Sequence, residues 1–148
     1  MSVPAGRPVE LRVFSIPAHL PVVRGALEKM CELLGFESQT IGNIILSVDE
    51  AMTNIIRHAY EGADDKPIEV QLAALDANTA GGIRIRLRDY GRTIDRSQIK
   101  GRDLADVRPG GLGVHLMNRC MDKVEYASTP DGGTHLTMVK LCKSRSSQ

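Results

Sequence analysis

Between Ser38 and Tyr60 the chain repeats apolar residues at helical spacing for longer than anywhere else. Ile41, Ile44, Ile45, Val48, Met52, Ile55, Ile56 and Ala59 fall on one side of a helix. So broad an apolar face must be covered, and the next segments supply the cover. Ile68–Leu75 and Ile83–Leu87 alternate apolar and polar residues with the period of a strand. Asp76-Ala-Asn-Thr-Ala-Gly-Gly82 between them has the Asn and Gly of a hairpin connection. A helix laid on a sheet is the architecture this pattern permits.

The rest of the chain extends that plan. Val9–Ile16 alternates as a strand and is ended by Pro17, and Leu20–Leu34 carries Val23, Leu27, Met30 and Leu34 at helical spacing before a stop at Gly35. Gly62–Pro67 is a loop by composition. Tyr90–Pro109 is long, polar and poor in periodic apolar residues, and a stretch of that kind inside a compact domain reads as a functional lid over residues 90–109. Val114–Met121 predicts a short helix, and Lys123–Ser128 and His135–Leu141 predict strands. The expected class is α/β, an α+β sandwich. Its sheet is mixed or largely antiparallel, with helices packed on one face. One domain over residues 9–142 is expected, with residues 1–8 and 143–148 as flexible ends.

Charge and composition narrow the function. The 148 residues hold 19 Lys and Arg against 18 Asp and Glu, a net charge of +1, which argues against a nucleic-acid binder. Aromatics make up 3% and Trp is absent, so there is no platform for stacking bases. Cys31, Cys120 and Cys142 lie in no metal-binding or redox spacing, as expected of a reduced, cytoplasmic protein. No apolar window resembles a signal sequence or approaches the length of a membrane span.

The polar stripe of the long helix holds Asn43, Ser47, Glu50, Asn54 and Arg57. Glu50 and Asn54 are four residues apart and project from one face. A carboxylate can accept a proton from a hydroxyl, and a carboxamide oxygen is a hard ligand suited to Mg²⁺. Taken alone, such a stripe is more often the solvated side of an amphipathic helix. Its short side chains, which are weaker helix formers than Lys or Glu, suit a face that lines a cleft.

Three glycine motifs follow. Asp89-Tyr-Gly91 is an ordinary strand-to-loop turn, or a carboxylate for an exocyclic amine such as that of adenine with a glycine that lets the ring approach. Gly110-Gly-Leu-Gly113 before Val114 is a glycine-rich turn, or a helix start whose N–H groups receive phosphate. Gly132-Gly-Thr134 has the composition of a hairpin turn. No Gly-Lys-Ser/Thr is present for a P-loop, and no third glycine completes a dinucleotide fingerprint. His58 and His115 stand without a ligand set, and no nucleophile elbow is present.

In this order the motifs resemble those of the Bergerat-fold (GHKL) ATPases, the superfamily of gyrase, histidine kinases and mismatch-repair ATPases. Glu50-x-x-x-Asn54 is similar to the N box, Asp89-x-Gly91 to the G1 box, Gly111-x-Gly113 to the G2 box and Gly132-Gly-Thr134 to the last glycine box. Asp49-Glu-Ala-Met-Thr-Asn-Ile-Ile-Arg-His-Ala-Tyr60 and Gly111-Leu-Gly-Val-His-Leu-Met117 resemble the anti-sigma-factor serine/threonine kinases of bacterial partner-switching systems. Arg92-Thr-Ile-Asp95 stands where many superfamily members carry a second glycine, which the anti-sigma branch commonly lacks.

The resemblance implies a division of labour. Asn54 holds Mg²⁺ on the phosphates of ATP, and Glu50 acts as base toward a partner's Ser or Thr. Asp89 binds the adenine amine with support from Thr134, and Gly91 gives the base room. Gly111 and Gly113 hold phosphates through N–H groups, Arg108 reaches the γ-phosphate, and Arg24 contacts a partner. The implied partners are a sigma factor and a STAS-type anti-anti-sigma protein, with a homodimer as the assembly and no direct contact with nucleic acid or membrane. The alternative is a non-catalytic nucleotide-binding regulator.

Overall fold

The computed structural model describes residues 3–78, 81–92 and 117–142. Strand β1 (Val9–Phe14) leads through a 3-10 turn (Pro17–His19) into helix α1 (Leu20–Leu33), and helix α2 (Ser38–Asn54) continues as a π-helical turn, Ile55–Ala59. Strands β2 (Pro67–Leu75), β3 (Gly82–Asp89), β4 (Lys123–Ser128) and β5 (Thr134–Leu141) complete the order. Residues 117–120 are helical, inside the expected Val114–Met121 helix, whose first residues lie outside the described ones. So do residues 93–109 of the expected lid and the tail 143–148. At the other end, Val3 packs against the core and Ala5 bridges Ala74.

The five strands form one sheet in the order β1-β2-β3-β5-β4, with every neighbouring pair antiparallel. β5 therefore lies between β3 and β4, and β4 takes an edge. Of the mixed and antiparallel sheets that the pattern allowed, the described strands form the antiparallel one.

The register lines side chains up in rows across the sheet. Val9, Leu72, Ile85, Met138 and Val124 make one row, and Leu11, Val70, Leu87, Leu136 and Tyr126 the next. Apart from Val9, which is exposed at the sheet edge, these rows pack beneath the two helices, where Ile44, Val48 and Met52 of α2 and Val23 and Leu27 of α1 join them in a single core. Ile85, Leu87, Met138 and Ile44 have no exposed surface, so truncating any of them to Ala would leave a cavity and remove about 2–5 kcal/mol.

A third row departs from the apolar rule. It runs Val13, Ile68, Asp89, Thr134, Ser128, so a carboxylate and a hydroxyl occupy core-facing positions at one end of the sheet. The site is built at that end.

Candidate functional site

Asp89 is the last residue of β3 and Thr134 the first of β5, and the ladder sets them directly opposite each other. They are 2% and 6% exposed, in a sheet face otherwise filled by aliphatic side chains. Asn54, the last α-helical residue of α2, is 5% exposed and lines the same cleft. Ala51, Ile55, Tyr126 and Leu136 form its apolar walls. An apolar cleft with a few converging polar groups is the usual form of a small-molecule or cofactor site.

Two polar atoms there stand out. Asn54 Oδ1 and Thr134 Oγ1 are buried without a hydrogen-bond partner among the described residues. Leaving such atoms unmet costs about 1–3 kcal/mol each, so a ligand that satisfied them would recover that energy on binding. Asp89 is partly met, since its Oδ1 accepts the Gly91 N–H at 3.0 Å. Burial pushes the Asp89 carboxyl above its ordinary range, against the pull of the Gly91 N–H, the Arg88 charge and the Thr134 N–H.

The turn after Asp89 is pinned from the helix side. The Tyr60 hydroxyl accepts the Tyr90 N–H at 2.8 Å and donates to the Pro67 carbonyl, and the Arg92 N–H donates to the Ala59 carbonyl at 3.0 Å. Ala59 ends the helix, so its carbonyl has no helical partner, and the turn it closes is the widened π turn, where the Tyr60 N–H reaches back to the Ile55 carbonyl. A Cβ at Gly91 would come within 2.4 Å of the Ala59 carbonyl oxygen and 2.8 Å of the Tyr60 ring. Gly91 therefore gives room to the protein's own backbone, at the junction of helix and strand. The long helical pattern carried no mark of the widened turn, since its apolar spacing suits an α-helix through Ala59.

The hairpin that carries Thr134 is equally tight. Gly132 and Gly133 have φ of +91° and +90°, but only Gly133 is crowded: a Cβ there would meet the Asp89 carbonyl oxygen at 2.1 Å, whereas one at Gly132 meets nothing. Gly133→Ala is thus expected to destabilise the fold by about 2–5 kcal/mol and to push Thr134 away from Asp89. Gly132→Ala should cost only the backbone term of about 1–2 kcal/mol. Urea denaturation of the two variants checks the ranking.

Glu50 lies one helical turn before Asn54, half-buried with Oε2 enclosed, and is not among the residues that line the cleft. Ser47 is fully buried and its hydroxyl donates to the Asn43 carbonyl at 2.9 Å. With Asn54 also buried, the polar stripe of α2 is not a solvated face; the exposed residues of this helix include Leu46, at 47%. Arg24 of α1 spans to α2, where its Nε donates to both carboxylate oxygens of Asp49 at 3.2 and 3.0 Å. Arg108, Gly111 and Gly113, and with them Gly110 and His115, lie outside the described residues. Tyr60, the π turn and the apolar walls Ile55, Tyr126 and Leu136 were not singled out by sequence reasoning. Tyr60 had a signal in the His-Ala-Tyr run; the walls had none.

Helices α1 and α2 on an antiparallel sheet, with Asn54 lining one cleft with the Asp89–Thr134 pair, make an α+β sandwich of the Bergerat type. Residues 14–140 match the histidine kinase-like ATPase domain family, and the chain belongs to it. Similar proteins include the serine-protein kinase RsbW of Bacillus pumilus, 28% identical over 141 residues, covering 89% of this chain and 84% of that one. RsbW of Listeria monocytogenes serotype 4a is 28% identical over 140 residues, covering 89% and 85%. Among solved structures, the RsbU and RsbW domains of a Mycobacterium tuberculosis protein superpose with a TM-score of 0.65 at 18% identity. That likeness covers 93% of this chain and 33% of the solved one, and is one of fold.

Proposed function

We propose that this chain is an ATP-dependent protein serine/threonine kinase that also sequesters a partner protein. It would act in the cytoplasm as an anti-sigma factor that phosphorylates an anti-anti-sigma protein of STAS type and works as a homodimer. The observation that carries the nucleotide reading is the cleft, where the buried Asp89 carboxylate meets the unpartnered Asn54 Oδ1 and Thr134 Oγ1 among apolar walls. The step from nucleotide to kinase is supported by Glu50 one turn from Asn54 and by relatives named serine-protein kinases.

In this reading Asp89 accepts the adenine amine, Thr134 supports the base, and Ile55, Tyr126 and Leu136 cover its faces. Asn54 offers Oδ1 as a hard oxygen, which fits Mg²⁺. The bound ion would neutralise charge on the phosphates. Gly111, Gly113 and Arg108 are assigned to the phosphates by motif. Glu50 takes the proton from the attacking hydroxyl. Phosphoryl transfer needs little beyond such positioning and charge neutralisation. Different partner affinities in the ATP and ADP states would drive the switch between partners, and Arg24 is assigned to partner contact.

The alternative is a nucleotide-binding regulator that transfers no phosphate, in which Glu50 does not act as a base. Incubation with labelled ATP and candidate antagonist proteins separates the two. Label on a partner's Ser or Thr supports the kinase. ATP bound without transfer supports the regulator, and no ATP binding removes both.

A further inference from the structure

The cleft uses one face of β3 and β5; the opposite face carries a charged cluster at the same end. Arg88 and His135 are cross-strand partners, adjacent in register to Asp89 and Thr134. Arg88 Nη1 lies 2.9 Å from His135 Nε2. A guanidinium only donates, so Nε2 accepts and the ring proton sits on Nδ1. Arg88 Nη2 donates to the Asp131 carboxylate at 3.2 Å, and the guanidinium carbon lies 4.3 Å from the centre of the Tyr90 ring. The Arg88 side chain is 14% exposed, although it stands on the face away from α1 and α2.

Each of these partners borders the pocket in sequence. Tyr90 follows Asp89, His135 follows Thr134, and Asp131 lies in the Thr129–Gly133 turn, whose Gly133 leaves no room for a Cβ beside the Asp89 carbonyl. We infer that Arg88 is a positioning residue for the adenine end of the cleft: from the far face it braces the Thr129–Gly133 turn and Tyr90 against β3, and so steadies Asp89 and Thr134 in the places the ladder gives them. The inference rests on the nucleotide reading above and deepens it.

A brace of this kind has a pH signature that a space-filling residue lacks. Protonated His135 cannot accept from Arg88 and sets a second cation beside it. The charged groups that face His135 are Arg88 and Arg86 from β3, Glu69 from β2 and Asp131 from the turn, while β4 contributes the uncharged Ala127. Burial and the two arginines hold His135 below its ordinary 6.5, so the brace is intact at neutral pH and loosens in acid. Arg88 also favours the ionised form of Asp89. Removing its charge raises the proton affinity of both groups, and nucleotide binding then fails at a higher pH.

The test is the affinity of the full chain for a fluorescent ADP analogue across pH, in wild type, Arg88→Gln, Arg88→Lys, Asp131→Asn and His135→Gln. Arg88→Gln should bind about tenfold more weakly near neutrality, with its acid midpoint moved upward. Arg88→Lys should fall between it and wild type, and His135→Gln should keep binding to lower pH than wild type. Asp131→Asn, altered at an exposed position, should weaken binding in the same direction and guards against a misfolded Arg88 variant. Affinity and midpoint unchanged in folded Arg88→Gln would overturn the proposal. If wild type binds no nucleotide, the site reading fails, and the brace is judged by hydrogen exchange of the Gly132, Gly133 and Thr134 amides. Faster exchange in Arg88→Gln or Asp131→Asn upholds it, and equal exchange refutes it.

Discussion

Replacing Glu50 with Gln is expected to slow phosphate transfer to a partner hydroxyl by about 10²- to 10⁴-fold, with nucleotide affinity little changed. Gln keeps the shape and hydrogen-bonding reach of Glu but cannot take up a proton at neutral pH. Glu50 does not line the cleft that holds Asp89 and Thr134, so the change leaves the adenine contacts in place. The helix makes the position apt: one turn from Asn54, the proposed Mg²⁺ ligand, the carboxylate shares its helix face, which suits a role at the phosphates rather than at the base. Single-turnover transfer from labelled ATP, with ADP binding measured in parallel, reads the two effects separately. Normal transfer by the variant would show that Glu50 is not the base. Loss of ADP binding along with transfer would show that its role is in the pocket or the fold.

Asp89→Asn is expected to do the reverse of most buried substitutions, making the fold more stable while nucleotide binding weakens. A buried carboxylate that accepts an amine makes a charge-assisted bond of about 1.5–3 kcal/mol, so its removal should weaken binding about 10- to 100-fold. Stability moves the other way because burial disfavours the charge. The native carboxyl is held above its ordinary 3.8, so the folded chain binds the proton more tightly than the unfolded chain. That contribution is fully present below the unfolded value and is lost as pH rises through the native one. At neutral pH wild type therefore carries a penalty that the amide lacks, and acidification should narrow the gap. Urea midpoints at neutral and acidic pH, set against nucleotide titrations, check both halves. A variant less stable than wild type at neutral pH would show that ionised Asp89 supports the fold through its bonds from Gly91 and Thr134. Unchanged affinity would remove it from the base-binding role.

Much of the architecture was legible because it rests on local periodicity. Alternation in Ile68–Leu75 and Ile83–Leu87 announced strands, and the structure extends them only to Pro67 and to Gly82 and Asp89. Gly35, expected as a helix stop, has φ +85° just beyond α1. Gly132-Gly133 is the expected hairpin turn. Its chemistry, however, divides in a way composition cannot show: Gly132 supplies only conformation, and Gly133 supplies contact with β3. The polar stripe of α2 was readable as unusual from its short side chains, but burial alone separated Ser47 and Asn54 from a solvated face.

By itself the sequence determined which segments are helix and strand, which residue types carry chemistry, and, through the order of its motifs, the family. These follow from backbone geometry, since a period of 3.6 or 2 sorts each side chain to a face wherever the segment lies in space. The tertiary structure alone decided that β5 enters between β3 and β4, that Asp89 stands opposite Thr134, and that Arg88 stands opposite His135 behind them. Alternation tells a strand which face to bury but not which strand to join. The register comes from pairing between residues far apart in the chain, and a shift of one residue would have sent Asp89 to the far face and Arg88 into the cleft.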